Sequence, residues 1–92
     1  MDELKVCVVE DQALLLKTLS QVLDATKGIA RAGSFPNAEA ALREMDWGQV
    51  DILLADIDLP GMSGVELIRR VKTAAPAIDC MAFTVYEDRS TV

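Results

Sequence analysis

Residues 51–64 read DILLADIDLPGMSG, and this stretch decides the fold of the chain. An apolar run from Ile52 to Ala55 leads into one aspartate, Asp56, and a second aspartate, Asp58, follows two positions later. The proline and glycine that come next favour a tight turn. The pattern predicts a buried β-strand that presents a carboxylate at its end, which indicates a chemical role for this edge of the fold.

Three further β-like runs accompany this strand, and segments with helical periodicity lie between them. The four runs are spaced so that each interval holds one helix and two short loops, which is typical of βαβ units in a parallel sheet. Asn37 and Ser63 are the expected N-caps of the second and third helices, and Glu66 would complete a capping box with Ser63. We therefore predict an α/β fold with strands at 4–9, 29–35, 51–55 and 78–84 and helices within 12–26, 37–45 and 63–74. The second strand, which is the least apolar, is predicted to lie at an edge of the sheet.

Composition and charge exclude several classes of function. The chain has 92 residues, of which 51% are hydrophobic and 26% charged, as expected for one small globular domain. Its net charge of −6 disfavours direct binding to nucleic acid or to an anionic membrane. No apolar run is long enough to span a bilayer. Because the N-terminus is acidic, unlike that of a signal peptide, we expect a cytoplasmic location.

The sequence contains no histidine and only two cysteines, Cys7 and Cys80. The absence of histidine excludes Ser-His-Asp and Cys-His catalytic sites as well as metals bound by histidine. Any metal must be held by carboxylate and carbonyl oxygens, which favours a hard cation such as Mg²⁺. Both cysteines lie in apolar runs, so we expect them to be buried and reduced.

Polar residues follow three of the four predicted strands. Glu10 and Asp11 come after the first strand, Asp56 after the third, and Thr84 at the end of the fourth. The carboxyl ends of parallel strands meet at one edge of a sheet, so these groups are predicted to converge there. Three neighbouring carboxylates repel one another unless a cation lies between them. We predict a Mg²⁺ site there, to which the turn after Asp58 can aim the backbone carbonyl of that residue.

Three tracts, VCVVED, DILLADIDLPGMSGVELI and MAFTVYED, together resemble the receiver domain of bacterial two-component response regulators. The LPGMSGVEL tract is most similar to receivers attached to LuxR-type helix-turn-helix domains, the NarL/FixJ-like class. The resemblance implies a flavodoxin-like doubly wound sheet. It implies a partner histidine kinase, and an output domain, of the DNA-binding kind, outside this sequence.

The resemblance also implies roles for the strand-end residues. Asp56 would be the phosphoacceptor, and Thr84 would hydrogen-bond the phosphoryl oxygens and act as the switch. Mg²⁺ would be held by Glu10, Asp11, Asp56 and the backbone carbonyl of Asp58. Such a domain is not an enzyme beyond phosphotransfer to itself and slow autodephosphorylation.

One feature of the family is absent from this sequence. Receivers normally have a fifth βα unit whose strand ends in a lysine, but here no lysine follows Thr84. We therefore expect residues 1–92 to form an incomplete receiver domain with strand order 2-1-3-4, lacking the usual fifth strand and helix. The fourth strand would be an unpaired edge beside uncovered apolar surface. We expect self-association, as a dimer or a larger assembly, through this strand, the first helix or the segment 85–92.

Two alternatives remain open at this stage. The ADIDLPG tract contains the D-x-D pair of haloacid-dehalogenase-like phosphatases. Against that function, Pro60 stands where those enzymes have threonine or valine, and the Glu10-Asp11 pair would have no role. The second alternative is a pseudo-receiver that binds a partner without switching, because the lysine is missing.

Overall fold

The computed structural model describes residues 3–84, which fold into four strands and three α-helices with one short 3-10 turn. In chain order the elements are β1 (Leu4–Val9), α1 (Ala13–Ala25), β2 (Ile29–Phe35), α2 (Ala38–Glu44), the 3-10 turn (Trp47–Gln49), β3 (Ile52–Asp56), α3 (Gly64–Ala74) and β4 (Asp79–Phe83). Among the described helices, none is long and apolar enough to cross a membrane.

All strand pairs in the sheet are parallel, and the strand order is β2-β1-β3-β4. Helix α1 packs on one face through Leu16, Leu19 and Leu23. Helices α2 and α3 pack on the other face through Ala41 and Leu67. Helices on both faces make this sheet doubly wound and flavodoxin-like, which confirms the predicted fold. Each predicted strand agrees with the observed one to within one residue at either end.

The second and third helices begin at their predicted caps. The Asn37 side chain accepts a hydrogen bond of 2.7 Å from a backbone N–H in the first turn of α2. The Ser63 hydroxyl accepts one of 3.1 Å from the N–H of Glu66. The Glu66 carboxylate is instead engaged by Arg69 and Arg70, so among the described residues only the first half of the predicted capping box forms.

The two cysteines lie in one row across the sheet. Cys7 pairs with Leu53, and Leu53 pairs with Cys80, so one strand separates the two thiols and both are free. Cys7 is fully buried, and burial raises the pKa of its thiol to about 12. Cys80 is only half-buried, contrary to expectation, because β4 is an edge strand of the sheet.

The sheet has β2 at one edge, as predicted, and β4 at the other. Within residues 3–84, the outer side of β4 has no partner strand. Met81, in the middle of this strand, is 57% exposed. An apolar edge strand with unpaired backbone groups favours pairing with another chain. The segment 85–92, also predicted to mediate self-association, lies outside the described residues.

Gly64 marks the closest approach of α3 to β3. It is buried, and its N–H donates a hydrogen bond of 3.1 Å to the carbonyl of Ile57. A Cβ atom at this position would overlap the backbone carbonyl oxygen of Asp56. The glycine therefore allows the helix to start directly against the end of the strand that carries Asp56.

We expect Gly64→Ala to lower the free energy of unfolding by about 2–3 kcal/mol, because the added methyl group must displace the backbone of Asp56. Urea denaturation followed by circular dichroism measures this change. Gly48→Ala is the control, because a Cβ at Gly48 meets only a carboxylate oxygen of Asp46, at 3.3 Å. Equal stability of Gly64→Ala and the wild type would contradict this account of the packing.

Candidate functional site

The parallel pairing of β1 with β3 brings their carboxyl ends to the same edge of the sheet. Val9 pairs with Ala55, so the next residue of each strand, Glu10 and Asp56, comes to a neighbouring position. The N–H of Glu10 still donates to the carbonyl of Phe35 at 3.1 Å, which holds the chain extended for one residue beyond β1. The backbone of the sheet therefore positions both acidic residues.

Glu10, Asp11 and Asp56 form a cluster of three carboxylates. One carboxylate oxygen of each lies within 4.8 Å of those of the other two. The Glu10 side chain is 0% exposed and Asp56 only 5%, whereas Asp11 is exposed. The structure therefore brings together the three carboxylates predicted to converge and leaves the cluster open to solvent on the Asp11 side.

Backbone N–H groups hold one oxygen of each buried carboxylate. The N–H of Gln12 donates to Glu10 Oε2 at 2.7 Å, and the N–H of Asp58 donates to Asp56 Oδ1 at 3.0 Å. The other Glu10 oxygen, Oε1, is buried and has no hydrogen-bond partner in the described part of the chain. A buried acceptor without a partner is costly, so this oxygen is suited to bind a cation or a proton.

The electrostatics of the three carboxylates also favour the binding of a cation or a proton. Burial raises the pKa of Glu10 to about 7, and the nearby charge of Asp56 adds to the increase, although the hydrogen bond from Gln12 opposes it. The described residues therefore do not fully balance the negative charge of the three carboxylates. A hard divalent cation with oxygen ligands fits this donor set, because it would bind carboxylate oxygens and relieve their repulsion.

Asp58 and Thr84 lie at the border of the cluster. Thr84 directly follows β4, and its hydroxyl donates a long hydrogen bond of 3.4 Å to Asp58 Oδ2. Both side chains are exposed. The structure thus places Thr84 beside the loop that follows β3. Its role toward a phosphoryl group, and that of the Asp58 carbonyl toward a metal, stay predictions.

Glu39 was not anticipated from the sequence. It lies in the first turn of α2, and its Oε2 accepts a hydrogen bond of 2.9 Å from the backbone N–H of Met62, in the loop between β3 and α3. The two residues are 23 positions apart and belong to no common motif. No signal in the sequence connects them, because the contact depends on how α2 packs next to the loop.

The family model described as the response regulator receiver domain matches residues 6–92 of this chain. Among curated relatives, a protein-glutamate methylesterase/protein-glutamine glutaminase of Treponema denticola is 31% identical over 72 residues, which are 78% of this chain and 19% of that protein. The response regulator GacA of Pseudomonas syringae is 29% identical over 85 residues, which are 92% of this chain and 40% of GacA. The chain thus spans well under half the length of either relative.

Solved structures show the same fold. The non-phosphorylated receiver domain of the stress response regulator RcsB from Escherichia coli aligns with a TM-score of 0.75 and 20% identity, over 95% of this chain and 69% of that one. A structure of two RcsB dimers bound to two parallel DNAs aligns with a TM-score of 0.81 and 19% identity, over 92% of this chain and 44% of that one. Because the family model matches residues 6–92, almost the whole length of the chain, the chain belongs to the family of response regulator receiver domains.

Proposed function

We propose that this domain is the phosphoacceptor of a two-component system, and that Asp56 receives the phosphoryl group from a histidine kinase. The observation that carries the proposal is the cluster of three carboxylates within 4.8 Å, in which Asp56 is nearly buried and oriented by a backbone N–H. Glu10, Asp11, Asp56 and the carbonyl of Asp58 would hold Mg²⁺. When bound, Mg²⁺ would neutralise charge on the phosphoryl oxygens and on the carboxylates.

Asp56 is arranged as a nucleophile. Because Oδ1 accepts the hydrogen bond from the N–H of Asp58, Oδ2 is the oxygen that would attack phosphorus. The new P–O bond forms as the P–N bond to the kinase histidine breaks, and the leaving imidazole nitrogen keeps the electron pair. The product is an aspartyl phosphate, a known type of covalent intermediate.

We also propose that Thr84 responds to this change. Within residues 3–84 its hydroxyl donates one long hydrogen bond, 3.4 Å, to Asp58, and its side chain is exposed. A weak bond of this kind is easily exchanged for one to a charged phosphoryl oxygen, which is a stronger acceptor. We propose that this exchange is the switch that reports phosphorylation.

The proposed partners follow from the family. They are a histidine kinase and an output domain, for which the LPGMSGVEL tract favours the DNA-binding kind, in a cytoplasmic protein. The phosphatase alternative has no support, because the family model matches residues 6–92 as a receiver. The pseudo-receiver alternative predicts a folded, Mg²⁺-binding protein that is never phosphorylated. A test for a phosphoryl adduct therefore distinguishes it from a functional receiver.

Incubation with Mg²⁺ and a small acyl phosphate is expected to add a single phosphoryl group, because Asp56 offers one oriented carboxylate. Intact-mass spectrometry measures the adduct, which should disappear in Asp56→Asn and when Mg²⁺ is chelated. Asp79→Asn is the matched control, because Asp79 is an exposed aspartate at the opposite end of the sheet. A folded sample that binds Mg²⁺ and forms no adduct would establish the pseudo-receiver instead.

Mg²⁺ at a hundredfold excess over its Kd is expected to raise the free energy of unfolding by about 2–3 kcal/mol, since it binds the assembled cluster and not the unfolded chain. In Asp11→Asn most of this gain should be lost, while Asp79→Asn should keep it. Thermal unfolding with and without Mg²⁺ measures both. An undiminished gain in Asp11→Asn would place the ion elsewhere.

We also propose that the chain self-associates through the outer edge of β4, where Met81 is exposed. Sedimentation velocity over a dilution series should show dimers or larger species that dissociate in Met81→Lys, because a lysine on an edge strand opposes pairing. Val65→Lys is the control, since Val65 is equally exposed, at 58%, but lies on α3. A monomer at every concentration would refute this interface.

A further inference from the structure

The hydrogen bond between Glu39 and the backbone of Met62 links α2 to the loop that follows Asp56. Glu39 Oε2 accepts from the Met62 N–H at 2.9 Å, and this bond lowers the pKa of the Glu39 carboxyl, which is therefore charged at neutral pH. Glu39 is not part of the carboxylate cluster found among the described residues. Any effect of Glu39 on that cluster must therefore act through the loop.

Gly61 makes room for the Glu39 carboxylate. Its φ of +74° places it in the left-handed region, which favours glycine. A Cβ at Gly61 would lie 2.6 Å from Glu39 Oε2, in the space through which the carboxylate approaches the Met62 N–H. The Pro-Gly turn therefore serves both to reverse the chain and to expose one N–H to a side chain of α2.

The loop is fixed at several other points. At its start, the N–H of Asp58 is bonded to Asp56, and the Leu59 side chain, 6% exposed, packs into the core. At its end, the N–H of Gly64 is bonded to the carbonyl of Ile57. The segment between these points includes Met62, whose backbone N–H is held by the side chain of Glu39. The other contacts hold the Asp58 N–H and the Leu59 side chain, but within the described residues no hydrogen bond holds the Asp58 carbonyl. Without the Glu39 bond the segment gains conformational freedom, and the position of this carbonyl becomes less defined.

We propose that Glu39 is a positioning residue of the metal site, which holds the loop so that the Asp58 carbonyl is presented to the ion. The inference rests on the proposed function, because that function assigns the carbonyl to Mg²⁺. Removing one hydrogen bond of this kind is expected to weaken Mg²⁺ binding by about three- to tenfold. The ligands themselves would be unchanged.

The test compares Glu39→Ala with Glu39→Gln in the full chain. Titration calorimetry measures the Kd for Mg²⁺, and amide hydrogen exchange in the absence of metal measures the protection of the Met62 N–H. Glu39→Ala should raise the Kd by about three- to tenfold and expose the Met62 amide. Glu39→Gln, which keeps an oxygen acceptor but not the charge, should restore both. Glu44→Ala is the matched control, because Glu44 lies on the same helix and, in the described part of the chain, pairs with its neighbour Arg43 and not with the loop.

The possible failures are distinguishable. If the wild type is folded but binds no Mg²⁺, the proposed function fails and this inference fails with it. If the wild type binds and Glu39→Ala binds equally well, even with a lower Tm, the role of Glu39 is merely structural and the inference alone is overturned. If Glu39→Gln behaves like Glu39→Ala, the effect comes from charge and not from the hydrogen bond, which also overturns it.

Discussion

The parallel pairing of β1 with β3 is the constraint on which the rest of the structure depends. Val9 and Ala55, both fully buried, form the last pair of this ladder, and the chain then passes directly to Glu10 and Asp56. Packing on both faces favours this register, since a shift by one residue would exchange the side chains that contact α1 with those that contact α2 and α3. The same register fixes the two carboxylates side by side, so the core of the protein and its acidic site are specified together.

The site is a local source of instability that the core has to offset. Glu10 is fully buried, and one of its oxygens lacks a partner among the described residues. Ionising it costs free energy, as the pKa of about 7 shows. Packing alone would favour an apolar residue at this position. A buried carboxylate with an unpartnered oxygen is suited to bind a cation or a proton, so its burial indicates a function more strongly than its acidity does.

The sequence predicted the strands and the acidic edge because both depend on short-range patterns, whereas the strand order followed from the resemblance to receiver domains. Apolar runs define the strands, and residues that follow parallel strands must meet at one edge. The half-exposure of Cys80 and the Glu39–Met62 bond were not predicted, since each depends on how elements pack in three dimensions. The close approach of Gly64 to the carbonyl of Asp56 likewise emerges only from the structure.

The loop after Asp56 shows why a motif should not be interpreted as chemistry alone. Gly61 provides a left-handed turn and space for Glu39, and Gly64 lets α3 begin against β3. Leu59 anchors the loop in the core. Within this loop Asp56 belongs to the carboxylate cluster and Asp58 donates a hydrogen bond to it, while Leu59, Gly61 and Gly64 help to determine where the two aspartates lie. A chain that kept Asp56 but lost this scaffold would retain the carboxylate without the geometry that holds it in the cluster, and chemistry at a site depends on such positioning.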